Sequence, residues 1–227
     1  MAFVGFGPEA LPFFKALAFH QSKEWFDDNR ALYETQVKQP FGDLIEDLSA
    51  RFEQAGIPLK GSRKGSLFRL NRDVRFSKSR DLYKTHAGGT LSRTGARLEP
   101  GILYIQVDPK GCFLAAGFFR PDPPVLARLR AAIQRDPAAY RAMLAALSGA
   151  GLALAEAEML TRLPRGFDAV TDPDLAAAIR RKSFLTRLPV EAALVETPAF
   201  ADAIVRFAGN VLPLLRWGWG ALVETRD

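Results

Sequence analysis

The sequence predicts an α+β fold, a central, mainly antiparallel sheet packed by N-terminal and C-terminal helices. Three observations carry that expectation. Apolar residues recur at helical spacing in the first quarter of the chain and again in its second half. Between those regions the pattern alternates with the two-residue period of a strand. Two apolar runs, 102–107 and 112–119, flank Asp108-Pro109-Lys110-Gly111, whose residue types suit a hairpin loop. Helices at both ends and strands in the middle favour α+β over a doubly wound sheet.

The elements follow in order. Leu11, Phe14, Leu17 and Ala18 lie at helical spacing, with Pro8 and Pro12 confined to the start of that helix. His20 falls at its end, where a C-cap is expected. Ser22 is placed to N-cap a second helix carrying Phe26, Tyr33, Val37, Phe41, Leu44 and Leu48. Pro40 should interrupt that stripe, giving 23–38 and 41–55, and Gly56 and Pro58 end it. The run 66–76 alternates Phe68, Leu70, Val74 and Phe76 with Arg69, Asn71, Asp73 and Arg75, and so predicts a strand. A weaker strand is expected over 84–92, interrupted by Gly88 and Gly89. Helices are expected over 124–135, over 137–147 behind Asp136, and over 174–182 behind Asp172 and Pro173. Residues 151–156 and 183–188 read as strands, and Thr197-Pro198 opens a final helix with Phe200, Ile204, Phe207 and Val211 on its apolar face.

The 227 residues, 48% hydrophobic and 25% charged, fit a single domain over 1–227. One cysteine, Cys112, excludes a disulfide framework and is expected to be inert core. With only His20 and His86 besides, no metal site is expected. No signal peptide and no apolar run of membrane-spanning length is evident, so a soluble, cytoplasmic protein is expected. Phosphate-loop, dinucleotide, zinc-protease and nucleophile-elbow motifs are missing, and no cofactor is expected. Residues 61–66 superficially suggest phosphate binding but read as a basic loop without a following helix.

The charge is concentrated. The chain carries +6, whereas residues 60–97 hold eleven Lys and Arg against Asp73 and Asp81, a local +9. A field of that size attracts phosphates, carboxylates or nucleic acid. Within it, Arg69, Arg72, Asp73 and Arg75 bring together forked donors that pair bidentately with carboxylate or phosphate. Strict alternation separates Arg72 from Arg69 and Arg75, unless the strand ends near Asn71 or bulges. Lys78, Tyr83 and Lys84 add donors, and Arg30 and Asn29 of the second helix are polar groups its apolar face does not need. His86 is an acid–base candidate, read first as a structural residue.

Arg69-Leu-Asn-Arg72-Asp73-Val-Arg75-Phe76, followed by Ser77-Lys78 and Tyr83-Lys84-Thr85-His86, resembles the hallmark of the DUF2461 family of bacterial proteins. The resemblance extends to Glu24-Trp25-Phe26 with Asn29-Arg30, to 163–167 and to 181–184. The chain departs from the pattern at Ser79-Arg80, where the family has Asp or Asn then Lys, and at Asp81-Leu82, where Thr-Pro is common. The family brings a fold group and a candidate site but no biochemical activity.

Residues and resemblance together nominate a pocket for a small anionic ligand, lined by Arg69, Arg72, Asp73, Arg75, Lys78, Tyr83 and Lys84, with Arg30 and Asn29 from the N-terminal helix. If the pocket is catalytic, Asp73 is its candidate base. Two other readings use the same residues. One is nucleic-acid binding through phosphates along 60–97, with few aromatic groups there for stacking. The other is a non-catalytic interaction module in which Asp73 and carboxylates such as Asp27, Asp28 or Glu34 tie the arginines into a structural network.

Overall fold

A computed structural model describes residues 2–73, 81–156 and 158–223. Helices surround a four-stranded antiparallel sheet of order β1-β2-β3-β4, formed by β1 (Ala87–Leu91), β2 (Ile102–Val107), β3 (Cys112–Phe118) and β4 (Phe184–Val190). This is the α+β arrangement that the periodicities predict. The chain divides into two compact units, one of residues 1–99, 103–114 and 189–207, the other of 100–102, 115–188 and 208–227.

The first unit opens with α1 (Ala10–Phe19), α2 (Lys23–Asp28), α3 (Arg30–Tyr33), a π-helical turn (Glu34–Lys38) and α4 (Gln39–Gln54). Ser22 caps α2 by accepting from the Trp25 N–H at 3.2 Å, and His20 is the C-cap of α1. Pro40 has no N–H for the Gln36 carbonyl four residues back, and that carbonyl accepts from Gly7 N instead, at 3.2 Å. The helix is accordingly irregular just before Pro40 and regular after it. Phe6 meets Phe41 edge-on at 5.4 Å, and Leu44, Ile45, Leu48 and Phe52 bury the inner face of α4. Each such side chain contributes about 1.5–3 kcal/mol by leaving water. Gly89 of β1 lets α4 approach: a Cβ there would sit 3.0 Å from the Phe41 ring. In this unit the short helix α9 (Ala192–Val195) also receives the amino-terminal segment, Phe6 N donating to Val195 O at 2.9 Å.

Within the second unit lie α6 (Pro123–Arg135), α7 (Pro137–Gly149) and α8 (Pro173–Arg180), as well as the later part of α10 (Ala199–Leu222). Asp136 and Asp172 cap α7 and α8 with their carboxylates. Gly218 of α10 packs directly on the Phe118 ring of β3, and Trp217 meets Phe184 of β4 at 5.7 Å.

Three local expectations are corrected. The described part of 66–76 is not a strand. Leu67 bridges to Gly89 and Asn71 to Tyr83, so the segment changes partner after three residues and no ladder develops. Residues 61–66 do contain a helical turn, α5 (Arg63–Ser66), because the Ser62 hydroxyl accepts from Gly65 N at 3.0 Å. Residues 151–156 form no strand; Ala155 N donates to Leu185 O at 2.8 Å without neighbours to extend the pairing.

Candidate functional site

β2 and the chain that precedes β1 shape the cationic region, all of it within the first unit. Leu103, Ile105 and Val107 turn one face of β2 into the core, so Tyr104 and Gln106 lie on the other. Gly88 stands opposite Gln106, and a Cβ there would lie 2.6 Å from the Tyr104 hydroxyl. The missing side chain is what allows the tyrosine to cross this face. Phe68, held by Phe68 N donating to Gly88 O at 3.0 Å, packs edge-on against Tyr104 with ring centroids 6.1 Å apart.

Phe68 is the platform for two cations. Lys84 Nζ is 5.4 Å from its ring centroid and the Arg97 guanidinium 5.5 Å. Each contact is worth about 0.5–1 kcal/mol at an exposed site. Arg97 is fixed further by donating Nε to Gly65 O at 2.9 Å and Nη2 to Lys64 O at 3.3 Å. Partial burial is the main cause that lowers the Lys84 pKa, and the charges of Arg69, Arg72 and Arg97 add to it. Arg69 and Arg72 are both exposed. Arg72 Nη1 pairs with Asp81 Oδ2 at 3.0 Å, with the arginine side chain 42% exposed. Asp73 is exposed as well. Arg69 and Arg72 are thus on the solvent side together, which strict alternation forbids.

A polar chain runs beside this cluster. The Tyr104 hydroxyl, pushed up to about 12 chiefly by burial, stays protonated and donates to Gln106 Oε1 at 3.0 Å. Gln106 Nε2 donates to Asp108 Oδ2 at 3.0 Å, and His86 Nδ1 lies 3.9 Å from the same oxygen. Burial lowers the His86 pKa; Asp108 opposes that and Lys84 and Arg72 reinforce it. The imidazole is therefore neutral at pH 7. Burial also pushes the Cys112 thiol up, and its sulfur contacts the Asp108 carbonyl at 3.6 Å.

The remaining nominated residues separate into groups. Tyr83 is buried, stacks on Phe26 at 4.6 Å and donates its backbone N–H to Gln21 Oε1 at 2.9 Å. Arg30 lies over the other partner of that stack, 5.1 Å from the Phe26 centroid, and pairs with Asp27 at 2.5 Å. Asn29 Nδ2 donates to Trp25 O at 2.8 Å, a helix-end role. Arg75 and Lys78 lie outside the described residues. Lys84, Arg69 and Arg72 come together, joined by Arg97. Sequence reasoning counted Arg97 in the charge but not in the site, because nothing in its spacing ties it to Phe68. Asp108 was legible only as a turn residue.

Among the described residues, no group of three or more His, Cys, Asp or Glu could hold a metal ion. Among the same residues no helix is long and apolar enough to cross a membrane.

Fold and site define an α+β protein with a crowded, solvent-facing cationic cluster set on an aromatic platform. The chain belongs to the DUF2461 family, described as a conserved hypothetical protein, whose model matches residues 9–217. No curated protein and no solved structure matches it.

Proposed function

We propose that the chain binds a small polyanionic ligand, a phosphate or polycarboxylate, on Arg69, Arg72, Lys84 and Arg97, with Arg75 and Lys78 of the same segment contributing. The observation that carries this reading is the gathering of Lys84 and Arg97 over the Phe68 ring with Arg69 and Arg72 beside them, charges that add to the lowering of the Lys84 pKa that burial causes first. A bound anion reverses that balance. Of the carboxylates that a structural network would use, Asp27 pairs with Arg30 and Glu34 with Lys38. The pair of Arg72 with Asp81 is a surface pair, worth about 0–1 kcal/mol. His86 beside Asp108 gives the site an acid–base group, and a reaction on the bound anion would use it.

Thermal unfolding with pyrophosphate and citrate, against sodium chloride at matched ionic strength, tests the reading. A ligand at 100 times its Kd stabilises by about 2.7 kcal/mol. For a chain of this size that raises Tm by roughly 5–10 °C. Arg72→Met should retain wild-type stability within about 1 kcal/mol and lose the ligand-induced rise. A wild type unmoved by either anion, or a variant destabilised by the roughly 3–5 kcal/mol of a broken buried pair, overturns it. Binding confined to oligonucleotides and falling steeply with salt would favour the nucleic-acid reading.

A further inference from the structure

A cavity of about 470 Å³, partly open to solvent, lies within the second unit, lined from α7, α8, Leu154 and Met159. Its walls are largely apolar, with Leu144, Leu154, Met159 and Leu175 facing the space, and Tyr140 and Arg181 supply polar groups. That size is ordinary for a small-molecule site. The polar end is unusual in its charge balance. Arg181 is half-buried and donates Nη2 to the Ala155 carbonyl and Nε to Ser183 O at 3.3 Å. Both acceptors are neutral. Behind the lining, Arg130, only 8% exposed, donates Nη2 to the Arg181 carbonyl at 3.0 Å; its Nε and that of Arg180 are buried without a partner, although neither residue lines the cavity.

No carboxylate among the described residues pairs with Arg130, Arg180 or Arg181. Glu158, close by in sequence, is held by Arg120 and Lys182. Asp172 caps α8 through Oδ1 and pairs through Oδ2 with Arg141, another lining residue, at 2.5 Å. Asp174 lines the cavity but is exposed. Burial lowers the pKa of Arg181, with Tyr140 opposing it, and burial lowers that of Arg130 behind it. Buried charge is costly until an anion accompanies it.

We propose that this cavity binds a small amphipathic monocarboxylate, its apolar body against Leu144, Leu154, Met159 and Leu175 and its carboxylate on the Arg181 guanidinium. A planar carboxylate suits the donors of that fork. A single negative charge is selected because Arg141 is already neutralised by Asp172, and the exposed Asp174 repels a second anionic group. Tyr140, whose hydroxyl burial pushes up, stays a neutral donor beside the carboxylate.

Isothermal titration of the full chain with decanoate, decanol and decyltrimethylammonium, each below its micellar concentration, tests the assignment. Decanoate should bind at least about tenfold more tightly than decanol, the discrimination expected of a charged hydrogen bond. The ammonium should not bind. Arg181→Gln should remove the preference for decanoate over decanol. Ala177→Phe, which fills the cavity from its wall and keeps Arg181, should abolish decanoate binding while the circular dichroism spectrum is unchanged. Arg72→Met, in the other unit, should leave decanoate affinity within twofold of wild type. Decanoate that fails to bind, binds no better than decanol, or still binds the folded Ala177→Phe protein overturns the proposal, and so does loss of binding in Arg72→Met.

Discussion

His86 shows how one residue reports on the cluster around it. Its imidazole sits below the ordinary value of 6.5 chiefly because of burial, which Asp108 opposes and the charges of Lys84 and Arg72 reinforce. In the unfolded chain it takes up a proton near 6.5, and in the folded chain only at lower pH. Between those values the unfolded state binds more protons, so stability falls as pH falls below 6.5. His86→Gln should therefore flatten the wild-type loss of stability between pH 7 and pH 5, measured as urea midpoints. Parallel curves for the two proteins would show that His86 does not feel the cluster. An anion bound at Lys84 should move the His86 pKa upward, read from its imidazole proton shifts. At this scale the sequence was informative where a residue's type limits its role. Ser22 and Asp136 could be recognised as caps because their short side chains reach only the next turn. Asn29, polar on an apolar helix, read as a site residue, yet its amide satisfies the Trp25 carbonyl. A single sequence cannot distinguish those uses of an amide.

Elements were legible in proportion to how local their causes are. The hairpin of β2 and β3 follows from its loop: Lys110 N donates to Asp108 Oδ1 at 2.9 Å, and Gly111 takes a φ of 144° that other residues avoid. The described part of the motif segment, to residue 73, failed as a strand because alternation records which side chains are buried, not whether a neighbour extends a ladder. Leu70 is buried and Arg69 exposed, as alternation requires, although only isolated bridges form. The final helix carries a paired prediction. Alanine is about 1 kcal/mol better than glycine inside a helix. At Gly209 nothing lies within 4 Å of an added Cβ, so Gly209→Ala should stabilise by about 0.5–1 kcal/mol. At Gly218 the same methyl would stand 2.1 Å from Phe118 Cε2, inside a packed and buried contact. Gly218→Ala should destabilise by about 1–3 kcal/mol despite its better propensity. Chemical denaturation of both variants decides the matter, and equal effects would mean that Phe118 does not constrain α10.

At the scale of the whole molecule, fold class was legible because segregated periodicities leave few ways to bury every apolar face. The division into two units was not, since each unit is assembled from three separate stretches of chain and no linker marks a boundary. Charge is different, because it is additive and readable directly. The chain totals +6, and residues 60–97 alone carry +9, so everything else sums to −3. On the proposed reading a polyanion should be drawn to that one segment and not to the surface at large. Two double variants of identical net charge separate those cases. Arg69→Gln with Arg72→Gln removes two exposed cations from the cluster, whereas Arg206→Gln with Arg216→Gln removes two exposed cations from α10. On a heparin column at pH 7.5 the first should elute at clearly lower salt than wild type and the second close to wild type. Retention governed by total charge would shift both equally, and that result would remove the basis for placing an anion site at the motif. The expected difference follows from screening: at 0.15 M salt charges interact over about 8 Å, so only cations that share a neighbourhood act on the same bound group.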